Sequence, residues 1–379
     1  MQSLALNRAY YRDCVSAVLQ ADCPHIAGRH AAALIGWGSE VLGHDDEFSK
    51  RYGWGPRVLL FLTKEDHRTW SQQLLTILRE RIPPKFLGHP TRYTNDGPPQ
   101  PSTDREAALG IAITTCERFV ELYLGVPDIG LAARPLASRE WLLISEEGLL
   151  RLTAGDVYHD GVGKLTELRQ HFAYFPDDVW RYRLAYQWQS LGWDIDLIGI
   201  CAHRGDTLSC RVATARSVER IVGLVFLLNR VYRPGYLKWL HRQFLRLPCL
   251  AAEVGPTLEQ AMLCTNPSDA TEALYPVLER LIAFQSECAG VPIPDYKKPS
   301  VLDPGFFAFD LSVIVAAVRA SIEGELATQR TTVGALDRWI AHQDILMVPR
   351  QLRLLEKVYD SEDPEVELLQ RNRLEDLGV

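Results

Sequence analysis

Arg57 to Leu62 reads RVLLFL, the clearest strand signal in the chain. A continuous apolar run of this kind suits a strand buried on both faces, and so a sheet with cover on each side. Ala31 to Ile35, upstream of it, is a shorter apolar run that ends in Gly36-Trp37-Gly38-Ser39. Lys64 to Arg81 follows with amphipathic spacing, and Gly110 to Thr115 (GIAITT) reads as a further strand leading into a helix over Cys116 to Tyr123. Residues 3–33 place Leu4, Tyr11, Val15, Val18 and Leu19 near helical spacing, whereas Pro83 to Thr103 is rich in Pro, Gly, Thr and Asn and reads as a loop.

From Arg139 onward the pattern is mostly helical. Asp177 or Asp178, after Pro176, caps a helix expected to reach Leu191. Asp206 to Val231 and Tyr236 to Leu245 follow, Thr257 to Cys288 suits two more helices, and a Pro-rich turn at Pro292 to Pro304 precedes helices to about Val358. The expected fold class is α/β plus all-α. A small mixed sheet with flanking helices spans 1–138 and a helical bundle spans 139–379, with subdivisions considered near 250 and at 292–304. A chain of 379 residues has room for two or three domains of roughly 100–200 residues each.

Apolar residues make up 47% and charged residues 23%, enough for a real core. The net charge of -7 argues against a nucleic-acid binder working through a broad basic surface. No run of about 18 apolar residues is present, so no membrane span is expected. Arg8, Arg12 and Asp13 interrupt the first apolar stretch, which excludes a secretory signal there. The eight cysteines show no CxxC pair and no finger spacing, and fit free thiols in a reducing, cytoplasmic setting. The GxSxG, GxGxxG and GxxxxGK[ST] patterns are all missing, which sets aside the serine-hydrolase, dinucleotide and P-loop classes.

The informative stretch is Leu34 to Leu62, LIGWGSEVLGHDDEFSKRYGWGPRVLLFL. A Gly-Ser turn lets backbone N–H groups and a hydroxyl approach a phosphate. Acidic residues two apart on the next strand would share a face and hold divalent ions against it. With GSEVLGHDDEFS and GWGPRVLLFL, the blocks TAGDVYHDGVGKLTELR (153–169), FPDDVWRYRLAYQWQSLG (175–192) and GDTLSCRVATARSVERIVGLVFLLNRVYRPGYLKWL (205–240) complete a pattern. Over about residues 25–245 the chain resembles the DUF4037 family, placed among nucleotidyltransferase-like folds of the polymerase-β type.

The resemblance implies transfer of a nucleoside monophosphate from ATP or another nucleoside triphosphate to a small molecule or protein, with magnesium. Gly38 and Ser39 would hold phosphates, with Lys238 and Arg181 as cations from the helical half. It also exposes a departure. The positions aligned with an Asp-x-Asp pair read Arg51-Tyr52-Gly53, and the strand expected to supply a third carboxylate has Ile111, Ala112 and Ile113. Asp45, Asp46 and Glu47 are the substitutes on offer for metal binding or catalysis, weighed against a solvated or capping loop. His159-Asp160 resembles a metal-binding dipeptide, weighed against a hydrogen-bonded turn. Arg211, Arg216 and Arg220 form either a basic stripe facing a cleft or a charged outer helix face. Three functions stay open: a working transferase of unusual metal geometry, a pseudoenzyme that binds a nucleotide or partner, and a small-molecule biosynthetic enzyme using His159, Asp160 or Glu140 for acid–base chemistry.

Overall fold

The computed structural model describes residues 2–51, 53–94, 99–126, 135–299, 305–329, 333–340, 345–346 and 349–359. Contacts divide the chain into two compact units. One is built mainly from residues 1–135 and 148–173, the other mainly from 136–147 and 174–346.

The first unit holds α1 (Ser3–Tyr10), β1 (Ala31–Leu34), β2 (Val58–Leu62), α2 (Lys64–Arg81), β3 (Ile111–Thr115), α3 (Cys116–Leu124), most of α4 (Glu146–Thr153), β4 (Asp156–Asp160) and α5 (Lys164–His171). The sheet order is β3-β2-β1-β4. β1 runs antiparallel to both its neighbours, Ala31 facing Phe61 on one side and Asp160 on the other, while β2 and β3 are parallel. RVLLFL therefore sits inside the sheet. Side chains alternate across a strand. Val58, Leu60 and Leu62 join Tyr10, Val15, Leu19, Leu74 and Leu78 in one buried cluster. On the opposite face Phe61 meets Phe119 of α3 edge-on, ring centroids 5.5 Å apart. Thr63 caps α2 by accepting from the Asp66 N–H at 3.0 Å, and Thr115 caps α3 the same way from Arg118 at 3.1 Å.

β4 is the element that reading from periodicity misses. DVYHD is short, half-buried and polar at both ends, so it carries no strand signal by itself. It is a strand because β1 offers it an edge, and the first unit takes in residues 148–173 with it.

The second unit is helical: α6 (Asp177–His203), α7 (Thr207–Leu228), α8 (Leu237–Phe244), α9 (Ala251–Leu263), α10 (Pro267–Ala289) and α11 (Leu311–Ala320). α6 and α7 lie antiparallel, with Gln187 reaching the Arg220 carbonyl at 2.8 Å and the Cys210 sulfur the Ile198 carbonyl at 3.6 Å. α6 continues twelve residues past the expected stop at Leu191. Gly192 and Gly199 do not break it. They let other chain segments approach: a side chain at Gly199 would meet Phe306 at 2.7 Å. Trp180 and Trp188 are fully buried and donate to the Leu227 carbonyl and to Gln285. Among the described residues no helix is long and apolar enough to cross a membrane, and all eight cysteines are free.

Candidate functional site

β1 hands the chain to a turn at Gly36 to Gly38, and a 3-10 turn over Ser39–Leu42 follows. Gly38 has φ +127, a value that only glycine adopts readily, and a Cβ there would meet the Glu40 carboxylate at 2.5 Å. The turn is pinned by bonds to the segment around β4: the Gly36 N–H donates to the Arg151 carbonyl at 2.8 Å and the Gly155 N–H to Val41 at 3.0 Å. Ser39 begins the 3-10 turn and is half-buried.

Beneath this turn sits an ion pair. Glu40 is 3% exposed and takes a bond from the Arg57 guanidinium. The same guanidinium donates to the Trp37 carbonyl at 3.4 Å and lies 5.1 Å from the Trp37 ring centre. Its Nε is buried without a partner. Burial pushes the Glu40 carboxyl above the ordinary range, with the charge of Arg57 opposing. Arg57 immediately precedes Val58, the first residue of β2.

The resemblance puts Arg51 and Gly53 at the start of that strand. The strand instead begins five residues beyond Gly53, and Glu47–Arg51 forms a separate 3-10 turn. Tyr52 and the side chain of Arg51 lie outside the described residues. The residues two apart at the head of β2 are Arg57 and Leu59, so the position carries a cation where acids are expected. β3 brings Ile111 to Thr115 alongside and adds no acid.

The loop acids have other tasks. Asp45 accepts from the Trp54 indole with one oxygen and from the Ser3 N–H with the other, tying the loop to α1. Asp46 caps the next turn, accepting from the Ser49 N–H at 2.8 Å and the Ser49 hydroxyl at 2.7 Å. Glu47 pairs with Lys50 at 2.5 Å. Among the described residues no three His, Cys, Asp or Glu side chains are grouped to hold a metal ion. These donors do not fit a divalent cation, whose oxygens must converge within about 2.0–2.6 Å.

His159 and Asp160 serve different neighbours. Asp160 caps α5, accepting from the Gly163 N–H at 3.0 Å and from the Thr166 N–H and hydroxyl at 2.7 Å each. His159 turns to a buried aromatic cluster, 4.6 Å from the His30 ring and stacked on Tyr11 at 6.2 Å. Its Nε2 is buried without a hydrogen-bond partner. His30 is 1% exposed. The network assigns its proton to Nδ1, which donates to the Ile26 carbonyl at 3.1 Å, while Nε2 accepts from the Tyr11 hydroxyl at 2.9 Å. Burial, helped by the facing His159, pushes His30 down to about 4.

That shift has a sign. Above pH 6.5 His30 is neutral folded or unfolded and contributes no slope. Below it the unfolded chain takes the proton first, so stability falls as pH drops from about 6.5 towards 4. Between pH 7.5 and 4.5 the loss expected from His30 is about 2–3 kcal/mol. Urea midpoints of the wild type and His30→Phe at both pH values read it. Equal acid losses in the two proteins would show that His30 is not the responsive group.

The two cations proposed for phosphate belong to the second unit. Lys238, near the start of α8, is exposed and sits over the rings of Tyr236 at 4.5 Å and Trp239 at 4.9 Å. Arg181 on α6 donates to the Ser321 carbonyl at 3.3 Å, and Asp177, one turn earlier on the same helix, pairs with Arg230 at 2.8 Å. The same unit contains a buried charge network that no sequence motif announces. Arg183 bonds Glu146 at 2.7 Å and Asp337 at 3.0 Å, Arg338 bonds Glu146, and the Arg233 N–H reaches Glu146 at 2.6 Å. Arg233 in turn pairs with Glu219, and Glu147 accepts from the Gly235 N–H at 2.9 Å.

What sequence reasoning missed were Arg57 and His30; Glu40 was visible as an acid between the turn and the strand, but not its pairing with Arg57. Arg57 was visible as the one charge on the RVLLFL run; His30 stood beside the first strand with nothing in the sequence to show its partners. No curated protein and no solved structure matches the chain. The segment carrying Glu146, Arg183, Glu219 and Arg233, residues 141–240, matches the family model described as Domain of unknown function (DUF4037).

Proposed function

We propose that the first unit is a nucleotidyltransferase-like frame that binds a nucleotide without transferring it. What supports this reading is one observation: a guanidinium ion-paired to buried Glu40 stands at the head of β2, where metal-holding carboxylates are expected. Phosphoryl transfer in such a frame depends on cations that stabilise charge on the reacting phosphate. Arg57 would repel a divalent ion and has no oxygen to bind one. It can offer a fixed positive charge under the Gly38–Ser39 turn, whose N–H groups and hydroxyl suit phosphate oxygens. The sheet order and the antiparallel pairing of β1 with β2 are compatible with that frame.

Calorimetric titration of the full chain with ATP, in magnesium and in EDTA, tests it. Binding of similar strength in both buffers is expected, with no nucleoside monophosphate transferred to protein or added acceptor. Ser39→Ala should weaken binding about 2- to 10-fold, the worth of one hydrogen bond. Magnesium-dependent transfer that is lost in Asp46→Ala would restore a working transferase, and absence of binding in either buffer would end the nucleotide reading.

A further inference from the structure

We infer that a groove between α6 and α7 is a binding site for a small aromatic carboxylate carrying an N–H donor. The groove is independent of the Gly-Ser turn and lies wholly in the helical unit. It is open to solvent, has a volume of about 280 Å³ and is lined by Tyr186, Gln189, Trp193, Asp194, Arg216 and Arg220, with Ser190 beside them. Ligand pockets run from about 300 to 1,000 Å³, so this one suits a single ring system with a short substituent.

The lining specifies the ligand. Asp194 is 1% exposed and divides its carboxylate between two guanidinium groups, Arg216 at 2.8 Å and Arg220 at 3.1 Å. Each guanidinium has five N–H donors, so both keep donors to spare. Two cations against one anion leave the groove one positive charge in excess. A carboxylate balances that excess; a phosphate dianion would overshoot it. The pair is held from beneath by a buried acid, and this fixes the direction of the donors in advance.

Two further groups need a partner. Gln189 lines the groove, and its Oε1 is buried and accepts no hydrogen bond. A buried acceptor left unmade is costly, and an N–H of a ligand would recover that cost. Trp193 is 64% exposed at the rim, an unusual place for so large an apolar ring, and offers a flat face to stack on. An acid group for the arginines, a donor for Gln189 and a ring for Trp193 together describe an amino- or imino-substituted aromatic acid. The spacing of Arg216 and Arg220 on α7 alone does not distinguish this from a solvated helix face. What separates the two readings is the shared buried acid and the orphan amide.

The experiment is ligand-observed NMR and calorimetry on the full chain with 2-aminobenzoate and indole-2-carboxylate. Saturable binding of at least one is expected. Benzoate, which lacks the donor, should bind about tenfold more weakly, and aniline, which lacks the acid, should not bind. Arg216→Ala and Trp193→Ala change residues more than half exposed, so the fold should survive, as a thermal melt would verify. Each should weaken binding about tenfold, and Gln189→Leu should erase the preference for 2-aminobenzoate over benzoate. No saturable binding, or binding indifferent to both Arg216→Ala and Trp193→Ala, overturns the proposal.

Discussion

Arg183→Ala is expected to destabilise the helical unit by about 3–5 kcal/mol, the cost of breaking a buried ion network by removing one member. Arg183 is 2% exposed and Glu146 3% exposed. Burial alone would push the Glu146 carboxyl up, but Arg338 and Arg183 outweigh it and hold the group down at about 2. Burial likewise acts against the charge on Arg183, and Asp337 and Glu146 reverse it, so its affinity for the proton is raised. Each ion is tolerable only because its partners are present. The guanidinium also lies 4.4 Å from the Phe175 ring centre, so truncation leaves a void beside an aromatic face. Arg183→Lys should recover part of the loss, because one nitrogen, Nη2, serves both Glu146 and Asp337 while Nη1 is buried without a partner. The urea midpoint at pH 7 is the measurement, and a loss below about 1 kcal/mol in Arg183→Ala would mean the network does not hold the unit. The sign with pH follows from Glu146. Its contribution is complete above its unfolded value of 4.5 and drains away as pH falls towards about 2, so wild type and variant should converge in acid.

The second large effect is expected at the turn. Arg57→Met strands a carboxylate that is 3% exposed, and the loss should again be about 3–5 kcal/mol near neutral pH. Glu40 already has its carboxyl raised by burial, and without Arg57 only a bond from its own backbone N–H restrains it. A group with a raised folded value favours the protonated fold, so stability is present at low pH and lost as pH rises. Arg57→Met should therefore lie closer to wild type at pH 5 than at pH 8. The double change Arg57→Met with Glu40→Gln removes both charges and should be milder than Arg57→Met alone, since replacing a whole buried pair is often nearly neutral. A double variant no more stable than Arg57→Met would show that the pair does not act as a unit. The same double variant separates stability from binding: on the proposed reading it folds and loses its affinity for ATP.

The strand RVLLFL, the helix Lys64–Arg81 and the helical second half were legible because each is a local pattern. Apolar periodicity and capping residues act over a few positions, so composition within the segment is enough to specify them. β4 was not legible, since DVYHD becomes a strand only when β1 supplies its hydrogen bonds. The full length of α6 was not legible, and Gly192 and Gly199 within it are places of close approach. The acids Asp45, Asp46 and Glu47 were equally visible as ligands or as caps, and only their neighbours Trp54, Ser3, Ser49 and Lys50 distinguish these tasks.

By itself the sequence determined that the chain would contain a sheet-bearing unit and a helical one. Tertiary structure alone decided which charges meet. Glu40 and Arg57 are 17 residues apart, Glu146 and Arg183 are 37, and Arg183 and Asp337 are 154. Pairings over such separations leave no periodic trace, because a charged side chain is stable in a core only beside a partner that folding brings to it.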